Sequence, residues 1–199
     1  MPSCRDATRS APGATRSGAS AACSAESPLD RPGAVWGRPP AYEEPPAEAR
    51  AALAAIYARV EVALGGAADA CRACGRCCRF EPGGLVLFAS ALEMAYLVAE
   101  AGPPEAGRLA AGSVFERAWT CPYQSGDRCG ARDGRTLGCR THFCGADAGP
   151  QGRALYDAAL AEIRAASDAH AVPWWYGPAK VYLDAVAAAR SGSDRGAAL

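Results

Sequence analysis

Eight cysteines fall between residues 71 and 144 of this 199-residue chain, in two groups. The first reads Cys71-x2-Cys74-x2-Cys77-Cys78 and the second Cys121-x7-Cys129-x9-Cys139-x4-Cys144. Thiolates are soft ligands, and a two-residue gap lets one loop turn two of them toward a single ion while the intervening backbone N–H groups stay free to donate to sulfur. All eight are candidate metal and cofactor ligands. Successive two-residue steps are what the bacterial ferredoxin run uses to grip an iron–sulfur cluster, with a further cysteine followed by proline. Cys121-Pro122 offers that dipeptide at a distance, so a 4Fe-4S cluster is the leading cofactor expectation. Zinc or iron ions compete, because four-cysteine tetrahedral sites use the same gaps and eight thiolates would fill two of them. Spacing alone does not choose between them.

Consecutive side chains in extended backbone point to opposite faces, so adjacent Cys77 and Cys78 are expected to do different jobs. The second group has long internal gaps and would have to close several loops to surround an ion unaided. Doubling a loop's length costs only about 0.6 kcal/mol, against roughly 10–16 kcal/mol for zinc binding in small peptides. The two groups are therefore expected to meet in space and share at least one metal site, with the helix that opens at Ser90 packed over it. The spacing differs from the C-x3-C-x2-C expected of a radical S-adenosylmethionine site. No βαβ alternation surrounds residue 71, as a thioredoxin-like dithiol would need.

Other groups stand beside these thiols. His142 lies between Cys139 and Cys144 and is a further possible ligand, and His170 falls on a helix face. Arg72, Arg76, Arg79, Arg135 and Arg140 flank the cysteines, where guanidinium donors would stabilise a negatively charged thiolate centre. Arg140, directly after Cys139, is expected to sit against the site. Glu116, Asp127, Asp133 and Asp147 complete the titratable set, and nothing in their spacing assigns a catalytic role.

The elements that must position these residues are mainly helical. Residues 1–40 are rich in Ala, Ser, Pro, Arg and Gly and read as a disordered leader carrying Cys4 and Cys23. Residues 41–191 read as a single cysteine-cluster domain and 192–199 as a loose tail. A helix is expected from Pro46 to Leu64, where Leu53, Ile56, Tyr57, Val60 and Leu64 recur at helical spacing before Gly65-Gly66. Leu85 to Phe88 could form a strand. Ser90 with Glu93 forms a capping box opening a helix to about Glu100, which Gly102-Pro103-Pro104 breaks. A short helix is possible around 104–111. Residues 113–149 show no period and read as loop folded around ligands, and helices follow from Gly152 to Ala171 and from about Pro178 to Arg190. Trp174-Trp175-Tyr176 reads as packing. The fold class expected is a small, mainly α metal-binding domain with irregular cysteine-rich loops and few or no short strands.

Composition sets the class of function. Of the apolar residues, 48 are Ala and only 30 are Val, Ile, Leu, Met or Phe. A core so thin in large side chains gains little from burial at about 25 cal/mol per Å2, which makes a metal centre a natural additional support. With 21 basic and 21 acidic residues the net charge is zero, so no electrostatic footprint argues for a nucleic acid or a membrane surface. No apolar run approaches the roughly 20 residues of a bilayer span. The segment before Ser27 lacks the apolar stretch that export requires. A cytoplasmic, reducing compartment is expected, where cysteines serve as ligands or redox groups rather than disulfides.

The series Cys71-x2-Cys74-x2-Cys77-Cys78-Arg79-Phe80, then Cys121-Pro122-Tyr123 with Cys129, then Arg135-Thr136-Leu137-Gly138-Cys139-Arg140, resembles the YkgJ-type cysteine-cluster family over about residues 71–144. The resemblance implies zinc or iron chelation by the matched cysteines. Some relatives in that family methylate flagellin lysines with S-adenosylmethionine, but no Gly-rich strand–turn–helix for the adenosyl group is visible here. Thr136 also departs from the family's Arg-Pro pair. The leading function is a metal-binding protein, with electron transfer to a protein partner among its uses. The alternatives are a metal-dependent protein-modifying enzyme of the flagellin N-methylase type and a structural zinc adaptor module.

Overall fold

A computed structural model of the chain describes residues 36–65, 75–82, 84–109, 117–142 and 149–196. Pro46 stands at the N-cap with φ −51°, and α1 runs Ala47–Leu64 until Gly65 turns out at φ 50°. Ala49, Leu53, Ile56, Tyr57 and Val60 form its buried face. The Ser90–Glu93 capping box forms as expected. Ser90 Oγ accepts from the Glu93 N–H, Glu93 Oε2 accepts from the Ser90 N–H at 2.7 Å, and α2 follows over Ala91–Ala101. Gly102 ends it at φ 76°. Further along, α4 spans Gly149–Ala169 and α5 spans Ala179–Gly196, with Pro173 in the break between them.

Two apolar clusters share α2. Met94, Leu97 and Val98 pack with Trp175, Tyr182, Leu183 and Val186. Leu92 joins Leu53, Ile56, Tyr57, Leu137 and Ile163 on the other side. A helix apolar on both faces has to be central, and α2 is the spine of the molecule. Lys180, the chain's one lysine, is buried in α5 with 2% of its surface exposed, its Nζ 2.7 Å from Asp184 Oδ2.

The architecture is mainly α with only short strands, as expected. The strands form three antiparallel pairs: β1 (Arg79–Phe80) with β3 (Trp119–Thr120), β2 (Phe88–Ser90) with β6 (Tyr176–Pro178), and β4 (Gln124–Ser125) with β5 (Arg128–Cys129). Isolated two-stranded ribbons are marginal in water. Here side chains add support: the Phe80 and Trp119 rings stack 4.2 Å apart across β1 and β3.

Several boundaries differ from the sequence reading. The strand expected at 85–88 begins at Phe88 and runs to Ser90, because its partner β6 sets the register, Phe88 opposite Pro178. Within 113–149, residues 117–142 hold three strands and a short helix, α3 (Leu137–Thr141), so this stretch is not irregular loop. Around 104–111 there is one 3-10 turn, Ala106–Arg108. The last helix continues past Arg190 to Gly196 and takes in part of the expected tail, where polar residues hide the helical period. The domain also begins before residue 41. Trp36 packs edge-on against Phe88 at 5.0 Å, Gly37 O accepts from Trp175 Nε1, and Pro39 is buried. Residues 1–35, with Cys4 and Cys23, lie outside the described residues. Among the described residues no helix is long and apolar enough to cross a membrane.

Candidate functional site

Gly75, at φ 67°, leads into a 3-10 turn, Arg76–Cys78, that carries Cys77 and Cys78. The next two residues form β1, and pairing with β3 sets Arg79 opposite Thr120. Register then decides the neighbour: Cys121 follows β3 opposite Cys78 and donates its N–H to Cys78 O at 2.8 Å. A tight hairpin comes next. Gly126 has φ 58° and Asp127 is not left-handed, the pattern of a type II′ turn with glycine at its first central position. That turn folds β5 back so that Cys129 pairs with Gln124. Finally α3 supplies Cys139.

Among the described residues, both cysteine groups therefore come together. Cys77 and Cys78 stand side by side on the turn, and Cys121 lies across the strand pair from Cys78, close enough for their thiols to perturb one another. Cys139 lies within electrostatic reach of Cys77 and Cys129. Cys77, Cys78, Cys121, Cys129 and Cys139 are all half-buried free thiols. Hydrogen bonding to Cys78, with burial behind it, pushes the Cys77 thiol far up. The bond to Cys121 and burial push Cys78 up to about 12. Burial pushes Cys139 up to about 11 against the hydrogen bond from Thr136 Oγ1, 3.5 Å from its sulfur. Among the described residues no three His, Cys, Asp or Glu side chains are arranged to hold a metal ion. Cys71, Cys74 and Cys144 lie outside the described residues.

Gathered thiols are costly to ionise beside one another, and a soft cation among them removes that cost by replacing their protons. These five thiols are donors of the kind a thiophilic cation takes, in a cluster that is not arranged for coordination. An orphaned acceptor lies beside it. Gln124 is buried under Gly75, and its Oε1 has no partner among the described residues.

The surrounding charges are not arranged as Cys139-Arg140 suggested. Arg140 turns away from the sulfurs. Its guanidinium lies 4.1 Å from the centre of the Tyr57 ring, bonds Glu61, and donates to the carbonyls of Arg135 and Asp133. It ties down the loop before α3, whereas Arg135 brings positive charge to Cys77 and Cys139. Arg79 pairs with Asp127 at 3.1 Å, Arg76 is exposed, and Arg72 lies outside the described residues. His142 is exposed at the end of α3 and His170 is half-buried at the end of α4. Glu116 and Asp147 also lie outside the described residues.

Glu93 has a second role beyond the capping box. The N-terminus of α3 has no side-chain cap of its own. Glu93 Oε1, from the buried face of α2, accepts from the Leu137 N–H at 2.7 Å and from Tyr57 Oη at 3.2 Å. The segment carrying Cys139 is thus anchored to the central helix. A Glu at the third position of a capping box carries no sequence mark of such a long-range contact. No family model, no curated protein and no solved structure matches the chain.

Proposed function

We propose that this is a metal-binding protein whose cysteines hold an iron–sulfur cluster, or iron or zinc ions, and whose fold is organised around that centre. The observation that supports it is the meeting of two cysteine-bearing stretches 42 residues apart, through the β1–β3 pairing and the hydrogen bond from the Cys121 N–H to Cys78 O at 2.8 Å. Cys71, Cys74, Cys77, Cys78, Cys121, Cys129, Cys139 and Cys144 are the ligand set we assign. The YkgJ-type resemblance, which spans the same cysteines, supports the same reading. A cluster would supply one-electron transfer to a protein partner, and zinc would supply a crosslink between the loops. A cytoplasmic location, which keeps thiols reduced, goes with this function.

The test is anaerobic purification followed by iron, zinc and acid-labile sulfide analysis. Iron with equimolar sulfide identifies a cluster, and zinc alone identifies the structural module. Cys78→Ser and Cys121→Ser should each lower metal content and melting temperature together, because metal binding and folding are coupled. Protein without stoichiometric metal, or full metal in both variants, overturns the proposal.

A further inference from the structure

The short helix α3 has two sides. Cys139 lies toward the other thiols and Arg140 lies over Tyr57, while Gly138, Thr141 and His142 line a separate open cleft of about 390 Å3. Its opposite walls come from Leu85 to Phe88, from Arg153 and Tyr156 on α4, and from Tyr176 on β6. The volume falls within the range of small-ligand sites.

The lining is selective in charge and shape. Arg153 supplies a permanent positive charge and His142 a ring N–H, and no Asp or Glu is among the described lining residues. Among the described residues the Arg153 guanidinium has no ion pair or hydrogen bond, and the His142 ring likewise has none. The carboxylates nearest the tyrosines, Glu93 and Asp157, are outside the lining, and Glu93 is held by its own four donors. The Tyr156 and Tyr176 hydroxyls lie 2.7 Å apart, so one O–H remains to donate outward. The rest is apolar and flat. Phe88 and Tyr176 lie with ring centres 5.8 Å apart and planes 32° apart, and Leu85 leaves half its surface exposed at the rim.

We infer that this cleft binds a small planar organic carboxylate, with the ring against Phe88 and Tyr176 and the oxyanion toward Arg153 and His142. No cysteine is among the described lining residues, and Arg153 lies on α4, away from the cysteine-bearing segments.

The experiment uses the full chain as purified, with 2-naphthoate as probe and 2-naphthalenemethanol as its neutral counterpart, followed by saturation-transfer NMR and calorimetric titration. The acid should bind more tightly than the alcohol. Arg153→Gln, at an exposed position that does not threaten the fold, should weaken the acid about tenfold, as expected for loss of a charged hydrogen bond. The same substitution should leave the alcohol's affinity and the protein's metal content unchanged. Failure of 2-naphthoate to bind, equal binding of acid and alcohol, or an Arg153→Gln protein with unaltered affinity would overturn the inference. Protein that binds 2-naphthoate as expected but purifies without metal counts against the metal assignment alone.

Discussion

The Glu93 carboxylate sits almost wholly out of water, 1% exposed, and still accepts four hydrogen bonds from Ser90, Leu137 and Tyr57. Burial outweighs those bonds and raises its pKa above the ordinary 4.5. The folded protein therefore holds this proton more tightly than the unfolded chain does. Between 4.5 and the raised value the folded state carries more protons, so stability falls as pH rises through that window and levels off above it. Melting temperatures measured from pH 4.5 to 7 should show this fall in the native protein. Glu93→Gln, which cannot ionise, should remove that component of the slope. An unchanged slope in the variant would mean that Glu93 is not the group responsible. Thr136 is a related case at the same scale. Its hydroxyl donates toward the Cys139 sulfur.

Among the elements, β6 is tightly constrained. A Cβ on Gly177 would lie 2.4 Å from Cζ2 of Trp175, whose ring is buried in the cluster between α2 and α5 and has no room to yield. Gly177→Ala should cost about 2 kcal/mol by overpacking. Gly107→Ala, with nothing within 4 Å, should be close to neutral, and denaturant titration of the two variants checks the contrast. The helices were legible in sequence because apolar spacing, the Ser90–Glu93 box and the Gly-Pro breaks all act locally. The register of the two- and three-residue strands was not, since it depends on partners such as Phe88 and Pro178 that lie far apart in the chain. The same division holds at the site. The candidate cysteines could be read from spacing, whereas the anchoring of α3 by Glu93 and the turning of Arg140 onto Tyr57 come from packing between α1, α2 and α3.

For the molecule as a whole, the contacts of Trp36 and Gly37 predict different outcomes for two truncations. Removing residues 1–35, which are poor in large apolar side chains, should leave metal content and melting unchanged. Removing residues 1–40 also deletes Trp36 and its edge-on contact with Phe88, worth about 1 kcal/mol, and should lower the melting temperature by about 3 °C. Equal melting of the two truncations would return the boundary to residue 41. The burial of Lys180 has a different kind of consequence. With 20 of the 21 basic residues arginine, and the one lysine enclosed in α5 against Asp184, the described surface offers no side-chain amine to acylating reagents or aldehydes. Its positive charge is carried by groups that stay protonated and are poor nucleophiles, so amine-directed labelling of Lys180 reports the opening of the helical core rather than its surface.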